Sequence, residues 1–288
     1  MSSVSNNDDS SSSSICNDDD VKVLEGNGHK YGNYHDYYSF HPSTVRTSLL
    51  PIGIFNDIWL NRDDNNNGSK VFNVLDVGCN EGNLTVDMYN RIRSELSNDV
   101  TINVTGIDID PVLIQRANNK NNILSNSNDS IQFLTIDIMN NDSISIISKT
   151  KYHFISVFSV TMWIHLNHGD DGLKRFLHSI ADLTTDKGSL LIEPQPWKCY
   201  KKASKRLRKL GMPPPMYYGK LNISDIEKQV TIMMTKSNET DTTTSTTTSN
   251  NNNLFTTSIE YGPDCEWGRT LILFQRHTTK KRKLEHEQ

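Results

Sequence analysis

Five short runs of apolar, β-branched residues constrain this chain most, because helix-patterned stretches separate most of them. The runs stand at 71–77, 102–109, 131–138, 153–160 and 188–193, and the helical stretches at about 82–96, 111–119, 171–184 and 197–210. Strands that alternate with helices build βαβ units and a mostly parallel sheet. Two further strand candidates, 254–261 and 269–276, are expected to close the sheet as an antiparallel pair. The expected fold class is therefore α/β, Rossmann-like, with an antiparallel C-terminal strand. Ligands of such sheets sit at the carboxyl ends of the strands, so the polar residues that end each strand are the candidates for function.

The remaining chain sorts by composition. Residues 1–25 are rich in Ser, Asp and Asn and form an expected disordered tail. The domain runs over 26–276, with 237–253 (SNETDTTTSTTTSNNNN) as a disordered surface-loop insertion, and 277–288 form a basic tail. The net charge of −4 is unevenly placed: residues 1–20 hold five Asp and residues 237–253 two acids, and setting these aside leaves +3 on the rest. A polyanionic partner is thus compatible with the composition. The four cysteines are scattered without a C-x-x-C pair, which argues against a zinc site or a disulfide framework and for a reducing compartment. No apolar run approaches the roughly 18 residues of a membrane span. The polar, acidic N-terminus is unlike a signal peptide. The expectation is a soluble, cytoplasmic monomer without metal. The tail sequence 280–283 (KKRK) reads equally as a nuclear localisation signal or as a solvated terminus.

The first strand ends in Asp76-Val77-Gly78-Cys79-Asn80-Glu81-Gly82. Gly78 and Gly82 allow a tight turn and close approach of a ligand. Asn80 stands where a G-x-G-x-x-G fingerprint has glycine, which disfavours a pyrophosphate-binding dinucleotide site. The acidic Asp76 suits a ligand that carries positive charge. The second strand ends in Asp108-Ile109-Asp110-Pro111. Asp110 reads as a helix N-cap, which leaves Asp108 for ribose hydroxyls. The third ends in Asp137-Ile138, where a carboxylate for an exocyclic amine and an apolar cover for adenine balance against a second N-cap. Together these ends describe an adenosine pocket with no phosphate to bind. They resemble the class I S-adenosylmethionine-dependent methyltransferases.

Three longer stretches are more specific: Tyr31-Gly32-Asn33-Tyr34-His35-Asp36-Tyr37-Tyr38, the run from Ser159 through Thr161-Met162-Trp163 to Asp170, and Glu193-Pro194-Gln195-Pro196-Trp197-Lys198. With them the chain resembles the bicoid-interacting-type RNA methyltransferases, over about 31–236 and again over 254–276. Thr161-Met162-Trp163 and Trp197-Lys198-Cys199-Tyr200 look like the branch that acts on 5′-monophosphates of small RNAs. The branch that caps triphosphate RNA typically has lysine at the place of Met162. The resemblance implies S-adenosylmethionine as cofactor, with Arg46, Gly78, Asn80, Asp108, Asp137, Ile138 and Phe158 as its contacts. In that reading Arg46 holds the methionine carboxylate through paired bonds and Phe158 closes the pocket beside the sulfonium.

A phosphate monoester is already anionic near neutral pH, so its methylation needs positioning rather than a base. Tyr31, His165 and Lys198 are the expected catalytic residues, with Tyr34 and Asn167 as further candidates. His165 reads equally as a structural histidine. Trp163 and Trp197 are candidates for stacking the first base, against a core role that suits Trp163 better. Residues 198–209 (KCYKKASKRLRK) hold seven bases and no acid. Such uniformity reads as a track for the backbone of a small RNA, tRNA- or precursor-microRNA-like. The alternatives are methylation of the γ-phosphate of triphosphate RNA, a catalytically inactive RNA-binding relative, or a small-molecule methyltransferase.

Overall fold

The structure, a computed structural model, describes residues 31–32, 34–35, 37–40, 42–62, 70–120, 128–211, 221–235, 254–262 and 269–276. The expected tails at 1–25 and 277–288 and the insertion at 237–253 lie outside the described residues. Seven strands form one sheet: β1 (Val71–Val77), β2 (Thr101–Asp108), β3 (Ser130–Thr135), β4 (Tyr152–Phe158), β5 (Thr184–Glu193), β6 (Thr257–Tyr261) and β7 (Leu271–Gln275). Their order is β3-β2-β1-β4-β5-β7-β6. The first five run parallel, whereas β7 is antiparallel to both β5 and β6. This is the expected α/β sheet with its reversed C-terminal strand.

Strand parity sends side chains to two cores. Leu75, Val77, Ile155, Val157, Leu190, Ile192, Ile272 and Phe274 face one side, beneath α7 (Thr161–Leu183), α8 (Trp197–Lys209) and α9 (Ile226–Thr235). Phe72, Val74, Phe154, Leu191, Leu271 and Leu273 face the other, beneath α3 (Ile54–Asn61) and α4 (Asn83–Glu95). A buried sheet of this kind explains why the parallel strands read as nearly continuous apolar runs. The N-terminal region adds α1 (Tyr37–Phe40) and α2 (Ser43–Ser48), and α5 (Pro111–Lys120) and α6 (Asn141–Ile147) complete the set.

The third helix-patterned stretch, 171–184, differs from expectation. Helix α7 begins at Thr161 rather than 171, so most of the motif from Ser159 to Asp170 lies in its first turns. Gly169 interrupts it with φ 67° and ψ −172°, a backbone region essentially reserved for glycine. That kink broke the helical period in the sequence.

Candidate active site

A cavity opens at the carboxyl ends of β1, β2 and β4, where sheets of this kind hold their ligands. Its floor is the turn between β1 and α4. Gly78 has φ 76°, and a Cβ there would lie 2.3 Å from Val160 Cγ2, so only glycine fits. Asn80 also adopts a positive φ, 54°. Its side chain offsets that strain by accepting from the Glu81 N–H (2.9 Å) and donating to the Tyr34 carbonyl (2.9 Å). The Asn80 N–H donates to Asp108 Oδ2 and the Asp110 N–H to Asp108 Oδ1, both at 2.9 Å. Burial pushes the Asp108 carboxyl up to about 6, against the lowering effect of those two amides. Asp110 caps α5 through the Val112 N–H (2.8 Å), as expected, and also meets His35 Nε2 at 3.1 Å.

Asp137 is not a helix cap. Its Oδ1 accepts from the Met139 N–H at 2.9 Å, whereas Asn140 caps α6. Asp137, Ile138 and Phe158 all line the cavity beside Asp108. Asp76 does not line it, contrary to its expected role near a cationic ligand. Its oxygens accept from Thr85 (2.6 Å) and Ser156 (2.7 Å), tying β1 to α4 and β4.

The far wall is an ionic cluster. Arg46 is 1% exposed and directs Nε (2.7 Å) and Nη2 (3.2 Å) at the Glu193 carboxylate. Arg269 donates to the same carboxylate at 2.7 Å. Tyr37 and Ser159 hydroxyls complete the cluster. Burial alone would raise the Glu193 pKa, but the two guanidiniums hold it at about 2. Arg46 therefore lines the cavity as expected, with one edge of its guanidinium committed to Glu193 rather than offered as a fork to the methionine carboxylate. Ser159 is the second non-glycine residue with positive φ, 58°. Gln195, 2% exposed, clamps it by donating to the Ser159 carbonyl and accepting from the Met162 N–H (3.0 Å). Glu193 and Gln195 lay in a motif whose roles the sequence left unassigned; Arg269 carried no signal beyond its place at the start of a strand.

Among the expected catalytic residues, only Tyr31 lines the cavity. His165 is fully buried: Nδ1 lies 3.1 Å from the Tyr200 hydroxyl and Nε2 2.8 Å from Asp170 Oδ1. Burial lowers its pKa although Asp170 opposes this. It ties α7 to α8, and the expected role as a phosphate donor is corrected to that structural one. Asn167 donates to the Trp163 carbonyl (2.8 Å) within α7. Trp163 is 8% exposed, belongs to the core and walls the cavity. Met162 is buried in the core away from the cavity, so it does not itself touch a terminal phosphate. Lys198 is exposed on α8 with Lys201, Lys202, Lys205, Arg208 and Lys209, while Tyr200, Ala203, Ser204 and Leu207 face inward. Lys201 lies over the half-buried Trp197 ring, 5.2 Å from its centroid.

This donor set suits S-adenosylmethionine. The cradle at Gly78 admits a ligand against the backbone, Asp108 and Asp137 offer carboxylates for ribose and adenine, and Ile138 and Phe158 supply apolar walls. Among the described residues no cluster of His, Cys, Asp or Glu is arranged to hold a metal ion. None of their helices is long and apolar enough to cross a membrane.

A family model described as Bicoid-interacting protein 3 (Bin3) matches residues 152–276, and one described as a methyltransferase domain matches 74–188. A Xenopus laevis protein named pre-miRNA 5′-monophosphate methyltransferase is 34% identical over 91% of this chain and 99% of its own length. A human RNA 5′-monophosphate methyltransferase is 31% identical over 91% of this chain and 86% of its own length. A Drosophila melanogaster U6 snRNA methylphosphate capping enzyme is 29% identical over 61% of this chain and 56% of its own. Glycine cradle, acidic strand ends and shared sequence agree: the chain belongs to the Bin3 family of S-adenosylmethionine-dependent methyltransferases.

Proposed function

We propose that the protein methylates the 5′-terminal monophosphate of a small RNA. Similarity to enzymes named for that activity, over nearly the whole chain, supports this acceptor. The structural observation that carries it is the exposed cationic face of α8, six Lys and Arg without an acid, which starts directly after the Glu193-Pro194-Gln195-Pro196 segment, whose Glu193 binds the cavity-lining Arg46 and Ser159. A phosphodiester backbone bound there enters from the side on which Glu193 and Ser159 stand. We further propose a cytoplasmic location, with the basic run 280–283 (KKRK) as a candidate signal for the nucleus as well.

When bound, S-adenosylmethionine would supply an electrophilic methyl carbon to a phosphate oxygen, with the sulfonium sulfur as leaving group, so that methyl phosphate ester and S-adenosylhomocysteine would be the products. The chain's own residues position and balance charge. Asp108 would hold the ribose, Asp137 and Ile138 would hold the adenine, and the Gly78 turn would permit close approach. The cluster of Arg46, Arg269 and Glu193 carries one net positive charge beside the Tyr37 and Ser159 hydroxyls, enough to attract a phosphate without neutralising its nucleophilic oxygen. Tyr31 at the cavity and Lys198 at the start of α8 are the remaining candidates for holding the RNA end.

Labelled S-adenosylmethionine offered with one hairpin RNA bearing 5′-hydroxyl, 5′-monophosphate or 5′-triphosphate tests this. Label confined to the monophosphate RNA, and lost with its 5′ phosphate, is the expected result. Label on the triphosphate RNA alone would establish the capping reaction instead. Absence of label with cofactor binding intact would leave an RNA-binding relative.

A further inference from the structure

The described residues of segment 31–38 stand at the cavity, where Tyr31, Gly32, Tyr37 and Tyr38 line it. The segment is held by side chains rather than by the sheet. Tyr37 joins the Arg46 and Arg269 cluster at one end. His35 meets Asp110 and its carbonyl accepts from Arg116 at 3.2 Å. The third tie comes from α8. The Arg206 guanidinium donates to the Tyr34 hydroxyl and packs on its ring, 5.1 Å from the centroid. Tyr34 in turn meets Trp163 edge-on at 6.1 Å, and its carbonyl accepts from Asn80 Nδ2. At Gly32 the fit is so close that a Cβ would lie 2.0 Å from the Trp163 indole nitrogen.

Arg206 differs from its neighbours on α8: the other six cations of the helix are exposed, whereas Arg206 is half-buried and turned to the segment. We propose that Arg206 is a positioning residue, which acts through Tyr34 to hold the 31–38 segment closed over the cofactor cavity. The proposal rests on the assignment of that cavity to the cofactor. It makes α8 serve two ends, with its exposed cations facing outward to RNA and one inward-turned cation governing how long the cofactor stays.

The dissociation rate of S-adenosylhomocysteine from the full-length protein, followed by stopped flow, tests it. Arg206→Ala loses a charged hydrogen bond and is expected to speed release about tenfold, with an unchanged melting temperature. Tyr34→Phe removes the acceptor but keeps the ring; it is expected to speed release less, and it also covers the case in which Arg206→Ala fails to fold. The double variant is expected to release no faster than Arg206→Ala alone, because both changes break one contact. Unchanged release in both single variants, or effects that multiply in the double variant, overturns the proposal. Asp108→Asn separates the two layers. If it leaves the affinity for S-adenosylhomocysteine untouched, the cavity assignment falls and the proposal with it; if it weakens binding while Arg206→Ala has no effect, only the proposal falls.

Discussion

Asp108 carries two backbone amide hydrogens before any ligand arrives, and burial still holds its carboxyl near 6. The raised value has two opposite consequences. In the ligand-free protein the native state takes up a proton more readily than the unfolded chain, so the destabilising effect of burying this charge fades as pH falls through 6 toward 4. Cofactor binding moves the other way, because the protonated acid no longer accepts both ribose hydroxyls. Affinity for S-adenosylhomocysteine, measured calorimetrically, is expected to fall about tenfold between about pH 7.5 and 5, and Asp108→Asn to be weak and flat across that range. A wild-type affinity that does not change with pH would contradict the assignment. The strand-end acids were legible because a parallel sheet gathers its strand ends at one edge, wherever they lie in sequence. His165 was not, since a histidine in a motif reads the same whether it faces a ligand or Tyr200, 35 positions away. The Arg46–Glu193–Arg269 cluster pairs residues 147 and 76 positions apart, and no local pattern marks such a meeting.

At the scale of the element, α8 shows how far a charge pattern reaches. Its spacing placed Lys198, Lys201, Lys202, Lys205, Arg208 and Lys209 on one face, and all six are exposed. Arg206 escaped that reading because its partner, Tyr34, belongs to a segment 172 residues earlier. If the face tracks an RNA backbone, Lys201→Gln and Lys202→Gln each lower the slope of log affinity against log salt by about 1, uniformly across RNA sequences. A slope unchanged in the double variant would remove α8 from the RNA site. Other elements were misread for physical reasons. Helix α6 has only seven residues and rests on the Asn140 cap rather than on a long apolar period. Strand β5 starts at Thr184, four residues before its apolar run, because Thr184 pairs with Tyr152 ahead of an irregularity after which the ladder resumes at Ser189 opposite Phe154.

For the whole molecule, the parallel run of strands followed from alternation and the antiparallel closing pair from the two late apolar runs, whereas the strand order β3-β2-β1-β4-β5-β7-β6 and the contacts of Tyr34, Tyr37 and Arg46 at the cavity depend on partners that no local pattern marks. The polar tract 237–253 lies between α9 and β6. Its flanks already meet, since the Phe255 N–H donates to the Met234 carbonyl at 3.0 Å and both side chains are fully buried. Replacing 237–253 with a short Gly-Ser linker is expected to raise the melting temperature by no more than about 4 °C, since each halving of a loop recovers only about 0.6 kcal/mol. Cofactor affinity is expected to stay unchanged, and a variant that fails to fold would give the tract a structural role. The 234–255 hydrogen bond thus works like a closed gate in a fence. Whatever length of chain lies beyond it, the polypeptide leaves and returns at one point, and chain length here becomes a quantity that can drift without being felt at the methyl-transfer site.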